Sequence, residues 1–120
     1  MPQQIGKLNE RVIDLLELSA TPNSPILIGQ TNIDHIKKKH LNDYLKYKNY
    51  ISDILEKPDY IRQNPKDNSL EYVKEFQMNC EYVKVAVRVS NSKQWFVRSM
   101  YVLNSKRVEN YIKKGNLLKY

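Results

Sequence analysis

A chain of 120 residues with 41% hydrophobic content is long enough for one domain with a single core, and too apolar for wholesale disorder. Its 20 Lys+Arg against 13 Asp+Glu leave a net charge of +7, which favours a polyanionic partner, nucleic acid foremost. The single cysteine, Cys80, rules out an internal disulfide and a multi-cysteine metal site; no apolar run nears the ~18 residues of a membrane span, and the first residues lack the apolar core of a signal peptide.

Ile5, Leu8, Val12, Leu15 and Leu16 recur at spacings of three and four, which predicts an amphipathic helix over residues 4–18. Ser19–Pro25 then reads as a linker, making the first 20 residues an accessory helix. Ile26–Gly29 suits a brief edge strand. In the helix that follows, Thr31–Leu45, Thr31 serves as N-cap and Asp34 completes a capping box. A second helix over Tyr50–Glu56 ends at Pro58, and Asn64–Asn68 is a dense turn signal.

From Leu70 the period changes to two. Leu70, Tyr72, Lys74 and Phe76 alternate with Glu71, Val73 and Glu75. Val83, Val85, Val87 and Val89 alternate with Tyr82, Lys84, Ala86 and Arg88, and a third run spans Trp95–Val102. Such runs between polar turns form an antiparallel meander with helices on one face. A last helix starts at Ser105 and ends at Gly115. The expected fold is therefore α+β: N-terminal helices, a mostly antiparallel β-meander of about four strands, and a C-terminal helix. It makes one domain over residues 1–120, with a core over 26–104 and a helical tail over 105–120.

Periodicity separates the two histidines. At about 100° per residue from Ile33, His40 falls about −20° away, within the apolar stripe, whereas His35 lies on the back with Lys38 and Lys39. His35 reads as a solvated surface residue, and His40 as either a core histidine or a functional one facing a cleft. Their spacing of five is wrong for a shared metal on one helix face, where four is the useful step, and no metal or cofactor is expected. If the Ser90–Lys93 turn sets Val89 opposite Gln94, the face away from the valines carries Tyr82, Lys84, Arg88, Trp95, Ser99 and Tyr101, joined by Leu70, Tyr72 and Lys74. Cations interleaved with aromatics suit RNA, whose phosphates pair with Lys and Arg and whose unpaired bases stack on rings. The same composition also describes a solvated sheet face decorated with β-favouring aromatics.

Metal-independent RNA cleavage needs a base for the 2′-OH, an acid for the leaving 5′-oxygen, and cations for the charged phosphorane. Histidine suits proton transfer near neutral pH. His40, Lys74, Arg88 or Arg98, Ser99 and Tyr101 match these roles, with Glu71 as an alternative base; Lys37, Lys84, Arg88, Trp95 and Arg98 are the candidate substrate-binding residues.

The order DHIKKKH, ISDILEKPDYI, SLEYVKEF, VKVAVRV and WFVRSMYVL resembles the phage-associated barnase–EndoU–colicin–RelE (BECR) nuclease-like domains over Ile26–Leu103. The resemblance implies a small metal-independent RNase of phages, mobile elements or toxin systems, with helices before a four-stranded antiparallel sheet. It matches His40 to the histidine ending the first core helix and Ser99 to the hydroxyl residue of the last core strand. Glu71 or Lys74 matches the charged position of the strand after the Pro58-Asp59-Tyr60 turn, with Arg98 and Tyr101 as neighbours of the motif. The implied setting is cytoplasmic, reached in some cases by delivery into a target cell, with RNA and a neutralising immunity or antitoxin protein as partners. Two rival readings keep the same face: a non-catalytic nucleic-acid-binding module and a phage accessory interaction domain.

Overall fold

The computed structural model describes residues 2–120. The chain forms β1 (Gln3–Leu8), α1 (Glu10–Leu16), β2 (Ser24–Ile28), α2 (Gln30–Tyr47), a 3-10 turn (Lys48–Tyr50), α3 (Ile51–Glu56), β3 (Tyr60–Gln63), β4 (Leu70–Phe76), β5 (Glu81–Val89), β6 (Trp95–Leu103), α4 (Ser105–Lys113) and β7 (Leu118–Lys119). All seven strands join one sheet in the order β1-β2-β6-β5-β4-β3-β7, antiparallel except for the parallel β2–β6 pair. The fold is α+β as expected, but the sheet has seven strands rather than about four; its meander runs from β3 to β6, and β3 is too short to show a period-two run.

The helix expected over residues 4–18 is instead a strand followed by a short helix. The three-and-four spacing runs across Asn9, whose side chain accepts from the Val12 amide at 2.9 Å and so starts α1 there. Gly6 keeps the preceding segment extended against α3, since a Cβ at that position would meet Leu55 Cδ1 at 3.0 Å. Leu8 and Val12 are buried in the main core. The strand at Ile26 is internal to the sheet rather than at its edge, because β1 pairs along its outer side.

The second helix starts earlier than expected. Gly29 is its N-cap and Thr31 lies in its first turn, while Asn32 Oδ1 accepts from the Gly29 amide at 2.8 Å. Asp34 instead accepts from the Gln30 side chain at 2.8 Å. Within α2 the backbone of His40 departs from helical angles (φ −142°, ψ 51°), so the helix bends at the histidine.

One face of the sheet, with Val83, Val85, Val87, Leu70 and Tyr72, packs against α1, α2 and α3 to make the main core. The other face carries a smaller cluster of Val73, Leu103, Val108 and Leu117, roofed by α4 through Val108, Tyr111 and Ile112. Covering the sheet on both sides is what turns its second face into a cleft. The tail also contributes β7, a two-residue strand on β3 that its length hid from pattern reading.

Candidate active site

Register decides which side chains share the second face. At the turn Val89 pairs with Trp95, and Arg88 with Phe96; then Arg98 is an extra residue in β6, and from Ser99 onward the pairing shifts so that Ala86 faces Ser99 and Lys84 faces Tyr101. The turn, which sets Val89 opposite Trp95 rather than Gln94, and this β-bulge together correct the expected ladder. Trp95 moves to the valine face and packs on the main core, whereas Ser99 and Tyr101 stay with Lys84 and Tyr82 on the second face. Leu70, Tyr72 and Lys74 also lie on the valine face, because they pair with Val87, Val85 and Val83. Lys74 donates to the Lys57 carbonyl at 2.8 Å and does not reach the cleft.

Two rows of Cα partners floor the second face: Arg62, Glu71, Ala86 and Ser99, then Tyr60, Val73, Lys84 and Tyr101. Ala86 leaves only a methyl between Glu71 and Ser99, so the floor dips between a carboxylate and a hydroxyl. Above it opens a cleft of about 240 Å³ lined by Arg62, Lys66, Glu71, Lys84, Tyr101, Arg107 and Tyr111, among others. Its walls are the 64–67 turn and α4.

Glu71 is the only carboxylate in that lining and is buried, with 6% of its surface exposed. Its Oε1 is 3.3 Å from Arg62 Nε, and its Oε2 accepts from Lys84 Nζ at 3.2 Å and from Asn64 Nδ2 at 3.3 Å. A carboxylate so placed in a mostly desolvated floor requires such partners, and it fixes both cations in return. Arg62 is held on its other side by the Tyr111 ring, with the guanidinium carbon 5.4 Å from the centroid.

Lys84 Nζ lies 4.6 Å from the Tyr101 centroid, and the His40 imidazole stacks on the same ring at 4.7 Å with planes 22° apart. Lys84 approaches from β5 and His40 from α2, which runs beside β6 beyond the stretch paired with β2; there Asp43 Oδ2 accepts from the Val102 amide at 3.1 Å. His40, Tyr101, Lys84, Glu71 and Arg62 thus form one continuous train of contacts. His40 is half-buried and His35 exposed, the separation that periodicity gave.

Beside the 64–67 turn Arg98 Nη1 is 3.4 Å from Asp67 Oδ2. The Ser69 amide and hydroxyl, joined by the positive charge of Arg98 and Arg88, hold the Asp67 carboxyl below the usual carboxylate range. Lys37 lies elsewhere, with its ammonium 5.7 Å from the Tyr44 ring on the outer surface of α2. Of the ten candidate site residues, the second face therefore gathers Glu71, Lys84, Arg88, Arg98, Ser99 and Tyr101, and α2 adds His40; Lys37, Lys74 and Trp95 fall outside. Pattern reading missed Arg62, Lys66, Arg107 and Tyr111. Arg62 sits in a four-residue strand without a clear period, and the last two belong to a tail read as lying outside the core.

Neither a curated protein nor a solved structure matches the chain. The family described as phage-Barnase-EndoU-ColicinE5/D-RelE like nuclease3 (PBECR3) matches residues 3–110, taking in β1 through most of α4. Four cations and a carboxylate in one cleft, beside a histidine, are a set of groups suited to work on a phosphodiester. With nearly its whole length matched, the chain belongs to this phage-associated family of barnase–EndoU–colicin–RelE-like nucleases.

Proposed function

We propose that the protein is a metal-independent endoribonuclease. The observation that supports this reading is the train from His40 through Tyr101 and Lys84 to Glu71 and Arg62, which links a histidine to a carboxylate and two cations lining one basic cleft. Glu71 accepts the proton of the 2′-OH as the 2′-oxygen bonds to phosphorus. The bond from phosphorus to the 5′-oxygen breaks, and His40 delivers a proton to that leaving oxygen. Lys84 and Arg62 offset the charge on the non-bridging oxygens, and the Ser99 hydroxyl donates to one of them. The products are a 2′,3′-cyclic phosphate and a free 5′-OH. Arg88 and Arg98 hold the flanking phosphates.

The phage association of the family supports a role as an effector or toxin acting on tRNA or mRNA, with a neutralising protein as its counterpart. Incubating the purified protein with bulk RNA and EDTA, beside His40→Ala, Glu71→Gln and a DNA control, tests the reading. Cleavage of RNA only, ending in cyclic phosphate and lost in both variants, is the expected result. Equal cutting by wild type and His40→Ala removes His40 from the mechanism. Salt-sensitive RNA binding without any cut product identifies a binding module instead.

A further inference from the structure

The charges in the cleft are not equally available. Glu71 commits one oxygen to Arg62 and the other to Lys84, so these three groups together carry a single net positive charge. Arg98 is committed to Asp67. Arg107, which lines the cleft from the first turn of α4, has neither an ion pair nor a side-chain hydrogen bond among the described residues. Only its backbone amide is engaged, donating to the Asn104 cap at 3.3 Å. Lys66, on the facing wall, is uncommitted in the same way.

A phosphodiester carries one negative charge and the phosphorane formed from it carries two. The Arg62–Glu71–Lys84 group matches the first and, once Glu71 has taken the 2′-OH proton, the second, but both of its cations lie on the floor; on the walls the cleft offers Arg107 and Lys66. We propose that Arg107 is the catalytic residue that meets the phosphorane opposite the floor cations, its guanidinium donating to a non-bridging oxygen from the α4 side. This rests on the ribonuclease reading above. The helix carrying Arg107 is itself fixed: Val108, the next residue, is fully buried in the second cluster. The arginine is therefore carried by a packed helix rather than by a loop, and its long side chain is free to reach a bound phosphoryl group. Arginine suits the task because its planar fork gives two parallel donors to two oxygens of one phosphoryl group.

Steady-state kinetics on a single-stranded oligoribonucleotide tests this, with Arg107→Gln and Arg107→Lys beside wild type. Arg107→Gln is expected to lower kcat by about 100-fold with KM nearly unchanged, as for loss of one oxyanion donor. Arg107→Lys is expected to recover only part of that loss. Because the side chain is exposed and unpartnered, melting temperatures should match wild type, so a fall in kcat reports chemistry rather than unfolding. An unchanged kcat, or a rise in KM alone, overturns the proposal. A readout independent of turnover uses the sulfate dianion as a mimic of the phosphorane charge. Wild type should gain thermal stability in sulfate over chloride of equal ionic strength, and Arg107→Gln should lose part of that gain. If wild type cuts no RNA, the ribonuclease reading fails on its own; equal sulfate shifts in the two proteins then overturn the role of Arg107 as well.

Discussion

His40 and Tyr101 stack with ring centroids 4.7 Å apart and planes 22° from parallel, joining a helix to a strand 61 positions later in the chain. The same tyrosine ring receives Lys84 at 4.6 Å. Tyr101 therefore holds an imidazole and an ammonium at once through its π surface, and no hydrogen bond of its hydroxyl enters that arrangement. The bend of α2 at His40 and the anchoring of Asp43 to the Val102 amide bring the imidazole to the ring. It follows that the ring of Tyr101 matters more than its hydroxyl.

Tyr101→Phe should retain most of the RNA-cleaving activity, within about threefold, whereas Tyr101→Ala should lose about 100-fold as the imidazole and ammonium drift from register. His40→Ala should lose at least as much, about 100-fold or more. Initial rates on one oligoribonucleotide, with circular dichroism to confirm folding, provide the check. Equal losses in the phenylalanine and alanine variants would assign the role to the hydroxyl.

Glu71→Gln leaves two cations facing each other in a floor where their side chains are 18% and 14% exposed. Removing the charge that holds such a pair should destabilise the fold by about 3 kcal/mol. Urea denaturation should show a lower midpoint with an unchanged slope. Adding Arg62→Gln to this variant should restore part of the loss, since one unpaired cation is removed with its partner; a further additive loss would contradict the ion-pair account.

The Tyr72 hydroxyl is buried and has no hydrogen-bond partner, and burial pushes its ionisation far above the ordinary tyrosine range. A buried polar group left unpaired costs stability that a phenylalanine would not. Tyr72→Phe should therefore be neutral or stabilising by about 1 kcal/mol, read as an equal or higher urea midpoint. A loss above that size would mean that the hydroxyl is paired after all.

Far from the cleft, Glu81 ties the C-terminal end of α2 to β5: its Oε1 accepts from Lys46 Nζ and from the Tyr47 hydroxyl, both at 2.6 Å. The Lys46 hydrogen bond, then that of Tyr47, hold the Glu81 carboxyl below its ordinary value. Its contribution to stability is thus present above the unfolded-state value of about 4.3 and lost as pH falls through the lower folded-state value. Burial and the same glutamate raise Tyr47, so its contribution is present below about 10 and lost as pH rises through the raised value. Melting curves across pH should show Glu81→Gln flattening the acid limb relative to wild type. An acid limb of equal steepness in both proteins would remove Glu81 as its source.

The valine ladder and the polar turns announce the meander because period-two alternation is a direct record of one covered face. His40 is legible for the same reason, as its phase follows from residues on the near side of the bend. Other features are not local properties. Arg62 enters the site because β3 lies beside β4, and Arg107 because α4 folds back over the sheet. Helical spacing at the N-terminus misleads because five apolar residues happen to span a strand, a cap and a helix. The Trp95 assignment fails through one extra residue, since a single insertion exchanges the two faces of a strand.

That insertion makes the sharpest test of the architecture. Arg98 occupies the bulge in β6 that lets Trp95 and Val97 point into the main core while Ser99 and Tyr101 point into the cleft. Removing Arg98 leaves Val97 and Ser99 as neighbours in a regular ladder, in which Trp95, Val97 and the fully buried Met100 keep the core face and Ser99 and Tyr101 keep the other. Deleting Arg98 should therefore keep cooperative folding, whereas deleting Phe96 turns Trp95 or Val97 away from the core and should abolish folding or cost several kcal/mol, on the scale of lost core packing. Arg98→Ala keeps the residue count and loses only an ion pair whose arginine is 45% exposed, so its stability should lie within about 0.5 kcal/mol of wild type. Urea midpoints of the two deletions test the register of β6, and that of Arg98→Ala isolates the side-chain charge. Equal losses in the two deletions would contradict a bulge at Arg98.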